Sequence, residues 1–172
     1  MKAADVTIRA VRSSDRTALR GFTCSTGEPW EDLVQDQIRG PLPDRYLSSP
    51  PYFDGRMLLG FGPGDDLIVV GAHHIEPAMM PDVGYTEVIA VALAARGVLI
   101  ELPDNDPVSL GHFMLLTIFR QMIRLGRHRR TFVRVDRRNT RSLTLLDRIG
   151  LTDQRDDPRP DLIQRWGELP GG

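Results

Sequence analysis

From Val6 to Val11 (VTIRAV) apolar and polar positions alternate, the period of a half-buried strand. Ser13 or Ser14 then offers a cap for a helix running from Asp15 to about Phe22. Trp30, Leu33, Val34 and Ile38 recur at helical spacing and predict a second helix from Glu31 to Ile38, stopped at Gly40. Residues 41–55 carry four prolines and read as an irregular connection. Arg56–Phe61 is a strand, Pro63–Asp66 a turn, and Leu67–Ile75 the hairpin partner. Glu76–Gly84 is rich in turn residues, and Tyr85–Leu93 (YTEVIAVAL) is the most strand-like run of the chain.

Ala94–Asp106 holds Gly97, Pro103 and acidic residues and reads as a loop. Asp106-Pro107 is a helix start, a capping side chain followed by a proline whose missing N–H is harmless in a first turn. The helix that follows, about Val108 to Leu125, is apolar nearly all round, as befits a helix buried against a sheet, and Gly126 ends it. Thr131–Val135 is a strand, Thr140–Ile149 a short helix stopped by Gly150, and Leu162–Trp166 a last strand. The order is strand, two helices, three strands, helix, strand, helix, strand. That is an α/β arrangement, a mixed sheet with helices packed on it, in a single domain over residues 1–172.

Composition changes this picture little. Apolar residues make up 41% of the 172, enough for a sizeable core, and the 26% that are charged nearly cancel to a net charge of -1. Whole-chain charge therefore gives no reason to expect a nucleic-acid or membrane partner. Lys2 is the sole lysine, an arginine bias that points to a GC-rich, bacterial genome. Cys24 is the sole cysteine, which excludes an internal disulfide and a thiolate-rich zinc site. No apolar run is long enough to span a bilayer, and Met1–Asp5 lacks the apolar core of a signal peptide, so a cytoplasmic location is the default.

The run Thr131–Leu151 (TFVRVDRRNTRSLTLLDRIGL) resembles the GNAT (N-acetyltransferase) superfamily. Val135, Asn139, Ser142, Leu145, Gly150 and Leu151 stand where that family has a strand-ending valine, a loop asparagine, a small residue, a helix and a terminal glycine-aromatic pair. The resemblance implies a GNAT-like mixed, mostly antiparallel central sheet flanked by helices, with acetyl-CoA as acyl donor. In the family a glycine-rich loop between the central strand and the next helix cradles the CoA pyrophosphate with backbone N–H groups. Here Ile89, Ala90 and Val91 resemble the strand end, and Arg96-Gly97 the start of the loop. The remaining small residues recur only at Ser109-Leu110-Gly111-His112. The reading is an insertion, Val98–Val108, that splits the motif and leaves the pyrophosphate to the later helix start.

The resemblance also supplies catalytic candidates. Glu87 stands where the family often has a base on the central strand, and Tyr85 shares its face. The rival reading of Glu87 is a solvated strand residue. The family's general acid, a tyrosine on the last helix, is replaced by Leu146. His73 and His74 are adjacent on a strand and face opposite ways, so they do not make a metal site; one is a pocket or core histidine and the other exposed. Cys24 is read as packing in preference to an acyl-accepting nucleophile. Pocket walls are expected from Cys24–Asp54, with Trp30, Tyr46, Tyr52 and Phe53, and from Gln154–Asp161. Arginines 120, 124, 127, 129, 130, 134, 137, 138 and 141 cluster, and helix-end and CoA roles outrank nucleic acid for them. The expected function is transfer of an acetyl group to a primary amine, compatible with a homodimer. Its rivals are an inactive GNAT-fold regulatory module and a nucleic-acid-binding protein.

Overall fold

The alternation near the N-terminus becomes β1 (Thr7–Ala10), the outer strand of an antiparallel run with β2 (Arg56–Phe61), β3 (Leu67–Ile75) and β4 (Val83–Val91). The structure is a computed structural model describing residues 1–48, 52–75, 83–103, 105–125 and 129–169. The sheet continues through β7 (Arg130–Asp136), β9 (Leu162–Glu168) and β8 (Asp153–Asp156), giving the order β1-β2-β3-β4-β7-β9-β8. β4 and β7 are parallel and every other neighbouring pair is antiparallel. The mostly antiparallel mixed sheet expected from the sequence is thus present.

Alternation within the strands sorts side chains onto two cores. Leu58 and Val69 face one core with α4 (Leu110–Arg124) and α5 (Thr140–Arg148). Met57, Leu59, Val70, Ala72, Val88 and Ala90 face the other, under α1 (Arg16–Gly21), α2 (Pro29–Arg39) and α3 (Pro41–Leu47). Helix α4 sits close because the sheet is small beneath it. A Cβ on Gly71 would lie 2.7 Å from Met114, and one on Gly84 2.7 Å from Met122.

Several expectations need correction. Residues 41–47 are not irregular but form α3; Pro41 is its first residue, where a helix tolerates proline. Neither Ser13 nor Ser14 caps the first helix. A 3-10 turn over Ser13–Asp15 precedes it, and the Asp15 carboxylate accepts the Arg12 N–H at 2.7 Å. The 94–106 loop is instead a 3-10 turn (Leu93–Ala95) and a hairpin of β5 (Leu99–Leu102) and β6 (Asn105–Ser109). Asp106-Pro107 lie in β6, so the long helix starts later, at Leu110, with Ser109 as its cap. The hairpin is pinned by the first residues: Met1 O accepts from Glu101 N at 2.8 Å, and Ile100 is fully buried. Of the expected pocket wall Gln154–Asp161, residues 154–156 pair with β9 as part of the edge strand β8 (Asp153–Asp156). Gly150 stops α5 with φ 84°, as expected of a left-handed helix end. The turn-rich residues 76–82, the helix stop at Gly126, Asp104 and Arg127 fall outside the described residues.

Candidate active site

The parallel ladder between β4 and β7 is short. It runs from Val83 opposite Arg130 to Thr86 opposite Val133 and stops, while β4 continues to Val91 and β7 to Asp136. The two strands therefore part at their C-terminal ends. The parting begins at an irregularity in β4. Ala72 pairs with Val88 and His73 with Thr86, so Glu87 is an extra residue with no partner on β3. Such a bulge leaves backbone groups out of the ladder and re-aims the side chain.

Glu87 points toward α3 and is nearly buried, its side chain 10% exposed. Tyr46 Oη donates to its Oε2 at 2.6 Å, an Arg45 guanidinium nitrogen lies 2.6 Å from Oε1, and His74 Nδ1 lies 3.5 Å from Oε2. Tyr46 Oη is also 3.1 Å from His74 Nδ1. Burial alone pushes the Glu87 carboxyl up, but the hydrogen bonds from His74 and Tyr46 and the Arg45 charge outweigh it and hold it below the ordinary glutamate value. The carboxylate is therefore neither solvated nor alone. Gly55 makes room for this cluster: a Cβ there would lie 2.6 Å from His74 Cβ and 2.8 Å from Tyr46.

Tyr85 shares the Glu87 face, meeting the His74 ring edge-on at 5.0 Å. It opens a row across the sheet in which Tyr85 stacks on Phe132 at 4.7 Å and Phe132 on Trp166 at 4.6 Å. Burial raises the Tyr85 hydroxyl above its ordinary value, against the pull of Arg134. Arg134 lies 5.2 Å over the Tyr85 ring and is held by Asp157 at 2.8 Å. Beyond it, Asp136 grips Arg138, whose guanidinium lies 4.9 Å over Trp30 of α2. Tyr85, Glu87, Arg134, Arg138 and Trp30 thus border one region, where β4 and β7 part. Phe53 lies 6.3 Å from the His74 ring. The Tyr52 side chain is outside the described residues.

The residues expected to hold CoA are only partly brought together. Ile89 and Val91 face α4, and Ala90 faces the opposite core. Ser109 caps α4, its Oγ accepting His112 N at 3.3 Å. Leu110 is buried in the core, and Gly111 faces inward, where a Cβ would meet Leu145 and Val91 at 3.7 Å. Gly111 is therefore a packing residue and does not open a path for a phosphate to its side. His112 is half-buried, and burial followed by the nearby Arg148 charge lowers its pKa. Asn139 caps α5, accepting Ser142 N at 3.0 Å. Arg96 lies apart from this group: it bonds Glu31 at 2.8 Å and the Cys24 carbonyl, tying the stretch after β4 to α2. Gly97 is exposed with φ 87°, serving the turn into β5.

Leu146 is buried in the core against α4 and carries no polar group to the site. His73 and His74 do face opposite ways, His73 toward Gln121 of α4 and His74 toward Tyr46. Both are buried, however, so the exposed partner expected from alternation is absent. Cys24 is buried and its thiol is pushed up to about 11, chiefly by burial, which makes it a poor nucleophile. Arg45 and Asp157 lay inside the expected pocket-wall segments and Arg134 inside the arginine cluster, but none was read as a partner of Glu87 or Tyr85. A signal for α3 existed in Leu42 and Tyr46, buried and four residues apart, but the prolines masked it.

The chain matches no protein-family model and no curated protein sequence. Solved structures do match along nearly its whole length. PaiA N-acetyltransferase from Thermoplasma acidophilum, in complex with coenzyme A, is 13% identical with a TM-score of 0.69, over 93% of this chain and 98% of that one. The GNAT domain of S. lividans PAT is 16% identical with a TM-score of 0.69, over 95% and 90%. An acetyltransferase of the GNAT family from Staphylococcus aureus is 9% identical with a TM-score of 0.67, over 95% and 99%. The fold is that of the GNAT acetyltransferases.

Proposed function

We propose that this chain is an acyl-CoA-dependent N-acyltransferase that moves an acetyl group from acetyl-CoA to a primary amine by direct attack. The observation that carries the reading is the parting of β4 from β7 beside a buried carboxylate. Backbone past Thr86 can pair with an extended pantetheine as it would with another strand. The first turn of α4 can meet the pyrophosphate, because the opening N–H groups of a helix lack intrahelical partners and carry partial positive charge. Acyl-CoA supplies an activated acyl carbon between the two strands. The amine approaches from the face of Trp30, Tyr85, Glu87 and Arg134. It arrives as an ammonium and must lose a proton, and Glu87 keeps a negative charge at that corner.

A second reading, a GNAT-fold binding module without catalysis, is favoured by two observations. Leucine stands at the usual tyrosine position and is buried, and a hairpin is inserted before the phosphate-binding helix. Both readings require CoA binding. Calorimetric titration with CoA tests them, with Ser109→Asp as control. Aspartate still caps α4 but sets a negative charge at the anion site, so affinity is expected to fall about tenfold or more. A folded wild type showing no heat with millimolar CoA would sink both readings. Binding with thiol release from acetyl-CoA in the presence of an amine separates the first from the second.

A further inference from the structure

We propose that the acyl acceptor is a small amino acid, an amine that also carries a carboxylate, and that Arg134 binds this carboxylate with Arg159 as a second counter-charge beside it. The proposal rests on the acyltransferase reading above and names the substrate class of that same site.

Arg134 is held in the way an anion-binding group must be. Its guanidinium lies over two rings, 5.2 Å from the centre of Tyr85 and 5.7 Å from that of Phe132. Its Nε donates to Asp157 Oδ2 at 2.8 Å. Asp157 is fixed in turn: Gln164 Nε2 donates to Oδ2 at 3.1 Å, Arg159 N donates to Oδ1 at 3.1 Å, and the side chain is 2% exposed. Gln164 accepts from Trp166 Nε1 at 3.0 Å, which ties the chain of bonds to the sheet. A guanidinium anchored through Nε and by the rings beneath it keeps its two terminal nitrogens, the fork that grips a carboxylate with paired hydrogen bonds. The Tyr85 hydroxyl interacts with the same guanidinium, but the terminal N–H groups outnumber what one hydroxyl accepts. Arg138 is the contrast: it spends Nε and a terminal nitrogen on the two oxygens of Asp136.

Charge selects the same class of acceptor. Glu87 holds Arg45, Asp136 holds Arg138 and Asp157 holds Arg134. Arg159 comes to Asp157 as a second guanidinium, its Nε 3.5 Å from Oδ1. Among the described residues this leaves a surplus cation at the Arg134 end of the site. Glu28 and Asp161 act on Arg138, at the other end, and both are exposed. The Tyr85 hydroxyl feels the surplus: burial raises its pKa and Glu87 adds to the rise, while Arg134 and Arg159 pull it down. A polyamine would bring a second ammonium to a place where Glu87 and Asp157 already hold guanidiniums, whereas a carboxylate there neutralises the surplus. Tyr85 and Glu87 are two residues apart on β4, ~6–7 Å along a strand. A molecule of amino-acid size spans that interval, its ammonium beside Glu87 and its carboxylate at Arg134.

The assay is thiol release from acetyl-CoA with matched acceptors: alanine against alaninamide, γ-aminobutyrate against n-butylamine, and spermidine as the polyamine. Wild-type kcat/KM is expected to favour the carboxylate-bearing member of at least one pair by ~10–10²-fold. Arg134→Gln is expected to bind CoA as the wild type does in calorimetry. Its KM for the aminocarboxylate is expected to rise ~10-fold or more while kcat falls less, so that the preference within the pair shrinks to about threefold. Arg134→Lys keeps the charge without the fork and is expected to keep part of the preference. Arg159→Gln changes an exposed side chain and is expected to weaken the preference several-fold while the protein stays folded. A preference under about threefold in both pairs, spermidine turned over faster than either aminocarboxylate, or a folded Arg134→Gln that keeps the preference overturns the acceptor assignment and leaves the acyltransferase. A wild type that binds CoA but acetylates none of the panel overturns the assignment as well. One that binds no CoA and acetylates nothing overturns the acyltransferase reading with it.

Discussion

The Asp15 carboxylate lies where three donors meet: both Arg9 guanidinium arms at 2.7 Å and the Arg12 N–H at 2.7 Å. Its side chain is 7% exposed, and the bond to Arg9 leads the effects that hold its pKa below the ordinary aspartate value, against burial. The unfolded carboxyl titrates near ~3.9. A depressed folded value therefore adds stability that is full above about pH 4 and is lost as pH falls through the folded pKa. Asp15→Asn is expected to lower stability by ~1–2 kcal/mol at pH 7, with mutant and wild-type curves converging at the acid end. Urea unfolding across pH checks this, and a gap that persists below the folded pKa would mean that shape, not charge, matters there. Cys24 gives the contrasting case. With its thiol near 11, almost no thiolate exists at neutral pH. Cys24→Ala is expected to keep turnover within about twofold if transfer is direct. An acetylated wild-type Cys24 seen by mass spectrometry during turnover would contradict the direct route.

Two glycines under or within α4 answer different demands, and substitution separates them. A Cβ on Gly111 meets only ordinary contacts at 3.7–3.9 Å, so Gly111→Ala is expected to stabilise by ~0.5–1 kcal/mol through helix propensity. A Cβ on Gly71 would meet Met114 at 2.7 Å and Ile118 at 3.0 Å, so Gly71→Ala is expected to destabilise by ~1–3 kcal/mol. Thermal unfolding of the pair tests the helix–sheet registry; a stable Gly71→Ala would mean that α4 docks elsewhere. Elements whose signal is periodic were legible in the sequence: β2 and β3 keep their expected bounds, and β4, β7, α2 and α5 shift by a residue or two. Elements whose signal is overridden were not. Prolines hid α3, although a first turn has no use for their missing N–H groups. The β5–β6 hairpin was hidden because its acidic, proline-bearing strands acquire a buried face only by docking Ile100 beside Met1 and Val6. For the site, Glu87 was singled out through the family resemblance and Tyr85 through its place on the same strand face, whereas Tyr46, the partner of Glu87, arrives from 41 residues away through α3 and cannot be seen along one strand.

At the scale of the whole molecule, charge and backbone give opposite answers about partners. Four of the nine clustered arginines pair with carboxylates of the chain: Arg130 with Asp153, Arg134 with Asp157, Arg137 with Asp156 and Arg138 with Asp136. Those four present less net field than unpaired arginines would, which counts against a nucleic-acid surface built on that part of the cluster. The backbone, in contrast, has capacity to give. β4 beyond Thr86 and β7 beyond Val133 end their mutual ladder while remaining strands, and strand edges of this kind are the usual template for an added strand. Pantetheine laid between them is expected to slow hydrogen exchange at Ile89 and Val91 and in Arg134–Asp136. The first turn of α4 is expected to slow as well, as phosphate takes up Leu110 and Gly111 N–H groups. Amides inside the β2–β3 ladder, where Leu59 stands opposite Val70, are expected to change little, so protection localised to the parting strands is the signature. Exchange measured with and without millimolar CoA decides it. Protection spread evenly over the sheet would report general stabilisation by binding elsewhere, and no protection at Ile89 and Val91 would remove the parting strands as the cofactor's seat.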